Sequence, residues 1–161
     1  MVKTKIAVFI SGGGTNLQAL IDAQRDGILR NGRITLVISS NSIAYGLKRA
    51  KEAGIDAVAV TRRECGSQEA FEAEILEKLE EYGIELIVLA GFLNILSEDF
   101  VKRYSDRIIN IHPSLIPSFC GKGYYGIRVH EAALDYGVKV TGATVHFVNE
   151  IPDGGRIIRQ K

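Results

Sequence analysis

Three short stretches of this sequence hold side chains whose type and spacing could carry chemistry. Asn110-Ile-His-Pro-Ser114 sets an amide and an imidazole two residues apart. At a strand end, that spacing puts both side chains on one side, about 6–7 Å apart along the backbone. Such a pair can polarise a carbonyl and steady the oxyanion that forms on attack; the alternative is that it simply satisfies buried backbone. Ser11-Gly-Gly-Gly-Thr-Asn16 is a glycine loop ahead of a helical pattern. Glycines let the backbone approach a ligand, and the N–H groups that open a helix favour an anion, typically phosphate. The alternative is a tight turn with no ligand. Leu17 leaves Gly-x-Gly-x-x-Gly incomplete, and the Gly-Lys-Ser/Thr ending of nucleoside triphosphate hydrolases is missing. Asp153-Gly-Gly155 adds a loop carboxylate. It is either a plain turn or a partner for His112, whose cationic form its charge would favour near neutral pH. His146 is the rival general acid, although a strand histidine is more often a hydrogen-bonded structural residue.

The remaining candidates offer less. Cys65 and Cys120 stand far apart, with no Cys-x-x-Cys or Cys/His spacing, so no zinc site is expected. Cys120 lies beside Lys122, which could favour a thiolate, but no histidine is placed in sequence to activate it. A reduced loop thiol is the expected state. The run Leu89–Leu96 could wall a pocket for a flat heterocycle or be ordinary core, apart from Asn94.

Apolar segments of strand length alternate with segments of helical period, and together they must position these groups. Strands are predicted at Ile6–Ile10, Ile34–Ser39, Ala57–Thr61, Leu86–Ala90 and Ile108–His112. Helices are predicted at Asn16–Asp26, Tyr45–Ala53, Gln68–Tyr82 and Ser97–Tyr104. In the third of these, Ser67 caps the start and Phe71, Ile75, Leu76 and Leu79 form one stripe. Gly27, Gly54 and Gly83 fall where helices should stop. This rhythm predicts an α/β fold with a parallel sheet and helices on both faces. It breaks from Pro113 to Gly126, which is too rich in proline and glycine for a regular element. A helix over Val129–Tyr136, a long strand over Lys139–Asn149 and a short strand over Arg156–Gln160 complete the reading. Ligands of open α/β sheets sit beyond the carboxyl ends of strands, which directs attention to residues 11–16, 90–94 and 110–114.

Composition narrows the function classes. The chain has 161 residues, 46% hydrophobic and 24% charged, as one soluble globular domain would. Twenty basic against nineteen acidic side chains leave +1, so no electrostatic footprint for nucleic acid or an anionic membrane is evident. No apolar run is long enough for a signal core or a membrane span. A cytoplasmic protein acting on small molecules is expected.

Taken in order, Ser-Gly-Gly-Gly-Thr-Asn-Leu, Leu-Ala-Gly-Phe-Leu, Ile-Asn-Ile-His-Pro-Ser-Leu-Ile-Pro, Val-His-Phe-Val and Asp-Gly-Gly resemble the phosphoribosylglycinamide formyltransferase family. Asn-x-His-Pro-Ser-Leu-x-Pro is shared by folate-dependent formyltransferases at large; the N-terminal loop is what points to the glycinamide ribonucleotide enzymes. The resemblance implies a Rossmann-like formyltransferase fold, mostly parallel and flanked by helices. It also implies formyl transfer from 10-formyltetrahydrofolate to the amine of glycinamide ribonucleotide in purine synthesis. The attack would be direct, through a tetrahedral intermediate and without a metal. Asn110, His112 and Asp153 match the catalytic trio. Gly14, Thr15 and Asn16 match the phosphate loop, with Gly91 and Pro113 beside the substrate. Phe92, Leu93, Asn94, Ile95, Leu96, Val101, Val148 and the loop 149–153 match the folate pocket, as do Asn110 and Gln68, the latter often basic elsewhere in the family. Asn94 stands where some members have arginine. Ile116-Pro117 matches a family cis proline. Members continue beyond the position of Lys161 with another strand and helices, one of which supplies an acidic residue to the ribonucleotide. The resemblance thus reads residues 1–161 as a single formyltransferase domain, truncated at its C-terminus relative to the family. A formyltransferase for methionyl-tRNA or a sugar nucleotide, or a non-catalytic ligand-binding domain, is the alternative.

Overall fold

Burial on both sides turns Val, Ile and Leu runs into strands, and the computed structural model describes residues 2–161 on that plan. Its fold is α/β, with seven strands and six helices among the described residues. The chain divides into two compact units, one ending at Asn94 and one covering Ile95–Lys161.

In the first unit, β1 (Thr4–Ile10), β2 (Gly32–Ser39), β3 (Asp56–Ala59) and β4 (Leu86–Leu89) pair in parallel in the order β3-β2-β1-β4. Ile6, Val8 and Ile10 of β1 are buried with Leu17 and Ile21 of α1 (Thr15–Arg25) and Ala50 of α2 (Tyr45–Glu52). The short α3 (Arg62–Cys65) has no counterpart in the predicted elements. The strand predicted to run to Thr61 stops at Ala59, because Thr61 instead caps α3 by accepting from the Glu64 N–H. In α4 (Gln68–Tyr82), Ser67 caps the first turn and Gly83 closes the last at φ 63°. Glu72 joins Phe71, Ile75 and Leu79 on its buried face, with Leu76 only half-buried.

In the second unit, β5 (Ile108–His112), β6 (Thr144–Phe147) and β7 (Ile157–Gln160) pair antiparallel in that order. Phe100 and Val101 of α5 (Glu98–Arg103), Val129 and Ala133 of α6 (Ile127–Tyr136), and Ile108 of β5 are each buried. Residues 113–126 are irregular, as their composition predicts, and Ile116–Pro117 is cis. The long strand predicted over 139–149 is corrected to four residues, matching the four positions at which β5 offers a pairing partner. Its side chains alternate in burial. Thr144 and His146 are buried, and Val145 and Phe147 half-buried.

Candidate active site

The β5–β6 register builds one cluster. Asn110 pairs with His146 and His112 with Thr144, so the i,i+2 rule puts all four side chains on one sheet face. His112 is 4% exposed and His146 1%. The His112 Nε2 donates to the Phe119 carbonyl at 2.8 Å, since a carbonyl can only accept. Its Nδ1 faces Asp153 Oδ2 at 3.5 Å. Both ring nitrogens therefore face oxygen acceptors.

Asp153 sits at φ 56°, where non-glycine residues are uncommon. Its Oδ2 accepts the Gly121 N–H at 2.9 Å, and its Oδ1 lies 3.6 Å from His146 Nε2. Burial opposes ionisation of this carboxyl, but contact with His146, the Gly121 N–H and the His112 ring outweigh it and hold the group below the usual carboxylate range. His146 Nδ1 lies 2.9 Å from the Phe147 carbonyl and its Nε2 3.1 Å from Asn110 Nδ2, which fixes the Asn110 amide. Asn110, His112 and Asp153 thus meet in one cluster, and His146 touches two of the three. The Val-His-Phe-Val motif was the signal for that second histidine.

Thr144 supports the cluster from below. Its hydroxyl donates to the Ser114 carbonyl at 2.7 Å and accepts from the Ile116 N–H at 3.1 Å and Gln160 Nε2 at 3.0 Å. Pro113 is half-buried next to His112. Cys120 is a free thiol, and burial, then the charge of Asp153, pushes its pKa up rather than down, against a thiolate favoured by Lys122.

The glycine loop belongs to the first unit. Gly14 begins α1 at φ 71° with no side-chain cap, and Thr15 and Asn16 are exposed. Ser11 ties this loop to the segment after β4. Its N–H donates to Gly91 O at 3.0 Å, while its hydroxyl accepts the Leu93 N–H at 2.9 Å and lies 2.6 Å from Ser40 Oγ. Gly14, Thr15, Asn16, Gly91, Phe92, Leu93 and Asn94 are thereby held on neighbouring loops. Phe92 packs on Phe9 with centroids 5.2 Å apart, and Leu93 is 60% exposed. Gln68 instead opens α4 and donates to Glu72 Oε1 at 2.6 Å. In the second unit Ile95 is 72% exposed, Leu96 and Val101 are buried, and Val148 is half-buried, its N–H on Ile108 O. Among the described residues no group of three His, Cys, Asp or Glu is placed to hold a metal, and no helix is long and apolar enough to cross a membrane.

Known proteins share this plan. The profile of the Formyl transferase family matches residues 4–161. Phosphoribosylglycinamide formyltransferase of Escherichia coli (strain K12) is 41% identical over 155 residues, which is 96% of this chain and 70% of that protein. The trifunctional purine biosynthetic protein adenosine-3 of Gallus gallus is 45% identical over 159 residues, and the chain spans 15% of its length. The crystal structure of glycinamide ribonucleotide transformylase 1 from Symbiobacterium toebii superposes with a TM-score of 0.90 at 43% identity, covering 99% of this chain and 72% of that one. Matched along nearly its whole length in sequence and in fold, the chain belongs to the formyl transferase family and, within it, to the phosphoribosylglycinamide formyltransferases.

Proposed function

We propose that this chain transfers a formyl group from 10-formyltetrahydrofolate to the amine of glycinamide ribonucleotide. The observation that carries the reading is His112, whose two ring nitrogens face the Phe119 carbonyl and the ionised Asp153. An imidazolium so placed stabilises the oxygen that turns negative as the amine adds, and can donate a proton. Asn110, its amide steadied by His146, donates a second hydrogen bond to the same oxygen. The Phe119 carbonyl holds the place on Nε2 that a substrate oxygen would take, so binding exchanges one acceptor for another. Asp153 keeps the charge on His112 and holds the water that carries the proton from the attacking amine to the departing nitrogen. No side chain need become acylated.

Gly14, Thr15 and Asn16 hold the phosphate, with Gly91 and Pro113 beside the ribonucleotide. The folate brings the activated formyl carbon. Exposed Leu93 and Ile95 offer apolar surface to the folate, to which we also assign Gln68, Phe92, Asn94, Leu96 and Val148. We read residues 1–161 as one formyltransferase domain on small-molecule substrates, cytoplasmic and without nucleic-acid or membrane partners. The test offers the formyl donor with glycinamide ribonucleotide, methionyl-tRNA or an amino-sugar nucleotide as acceptor. Formylation of the ribonucleotide alone is expected; preference for another acceptor, or no turnover with any, overturns the reading.

A further inference from the structure

Three consecutive peptides of the glycine loop share one arrangement. The Gly12 carbonyl accepts from the Gly46 N–H at 3.1 Å, the Gly13 carbonyl from Arg49 Nε at 2.8 Å, and the Gly14 carbonyl from the Gln18 N–H at 2.9 Å. In a trans peptide the C=O and the following N–H lie antiparallel in one plane. Fixing those carbonyls therefore turns the N–H groups of Gly13, Gly14 and Thr15 the opposite way. None of the three meets a protein acceptor among the described residues.

Only the Gly14 bond is made by the loop's own helix; the other two come from α2. The approach of α2 is as close as glycine permits. A Cβ on Gly46 would strike Ile10 Cδ1 and lie 3.3 Å from Gly12 O and Gly14 Cα, whereas one on Gly12 or Gly13 would meet nothing within 4 Å. Arg49 is itself held in place. Its Nη1 donates to Gln18 Oε1 at 3.1 Å, and its guanidinium lies 4.9 Å from the centre of the Tyr45 ring.

We infer that Gly46 and Arg49 are positioning residues for the anion-binding loop, with α2 setting the direction of the three amide donors. The inference rests on the proposed phosphate role of Gly14, Thr15 and Asn16. A lysine at position 49 would keep the charge but lose the planar fork that meets Gly13 O and Gln18 together.

The test is a titration of the ¹⁵N-labelled full chain with inorganic phosphate and with glycinamide ribonucleotide. Downfield movement of the Gly13, Gly14 and Thr15 amides is expected. Arg49→Lys and Arg49→Met should both weaken ribonucleotide binding by about tenfold, the loss of one charge-assisted hydrogen bond. In turnover, the KM for the ribonucleotide should rise by that factor while the KM for the formyl donor and kcat stay put. Gly46→Ala, which leaves the charge untouched, should reproduce the loss; should it fail to fold, the Arg49 pair decides alone. No amide movement in the unsubstituted chain removes the phosphate reading and this inference with it. Movement there, with either Arg49→Lys binding as the parent or kcat falling in place of affinity, overturns this inference alone.

Discussion

Asp153→Asn tests the charge at the centre of the site while preserving its shape. The asparagine Oδ1 can still accept the Gly121 N–H, so the loop stays in place. What disappears is a negative charge 3.5 Å from His112 Nδ1 and 3.6 Å from His146 Nε2. Two unit charges 3.5 Å apart at an effective dielectric of about 20 attract by about 5 kcal/mol. Desolvation offsets part of that, and about 3–4 kcal/mol remains as lost transition-state stabilisation, or roughly two to three decades in kcat. Steady-state formylation of glycinamide ribonucleotide between pH 5 and pH 9 measures it, beside thermal unfolding of both proteins. In the folded protein Asp153 titrates below its unfolded value. Its contribution to stability is therefore complete above the unfolded value of about 4 and disappears as pH falls through the lower folded value. The gap in Tm between parent and variant should be full at neutral pH and narrow below about pH 4. A variant turning over within about threefold of the parent would refute this electrostatic assignment.

Two further substitutions probe the scaffold. Thr144→Val keeps the shape but strips the Ser114 carbonyl and the Ile116 N–H of their partner; urea unfolding should show a loss of about 2–3 kcal/mol, and a change under about 0.5 kcal/mol would count against the network. Gly155→Ala would drive a Cβ into the Phe147 carbonyl; we expect a loss of more than about 2 kcal/mol, with amide-exchange protection falling at Phe147 but not in β1. Equal protection at both places would show that the β6–β7 turn absorbs the methyl.

The elements most legible in the sequence were those with an internal signal at both ends. Ser67 and Gly83 bound α4 where the pattern puts it, and β5 ends at His112 just before proline. The over-read strand failed for a non-local reason: apolar alternation from Lys139 continues past the residues that β5 can pair. The missed α3 has no apolar period, yet Thr61-x-x-Glu64 is a capping-box spacing, and its hydroxyl both accepts the Glu64 N–H and donates to the Glu64 carboxylate. For the site, two-residue alternation was enough to bring Asn110 and His112 to one face. The grip of Phe119 and Gly121 was not readable, because it runs through backbone atoms of an irregular loop. Arg49 escaped for a similar reason, as its target is a carbonyl that no side-chain pattern advertises.

The polar inner face of β6 has a consequence for how this chain can change over generations. Thr144 and His146 occupy its two most protected positions, where an apolar pair would be the ordinary choice. Thr144 is bonded to the buried Ser114 carbonyl and His146 to the half-buried Asn110 amide, so replacing either strands a donor or an acceptor. An apolar version is reachable only by exchanging several residues together, and drift proceeds one residue at a time. Selection for folding alone therefore guards this face, even across intervals in which activity is not under test.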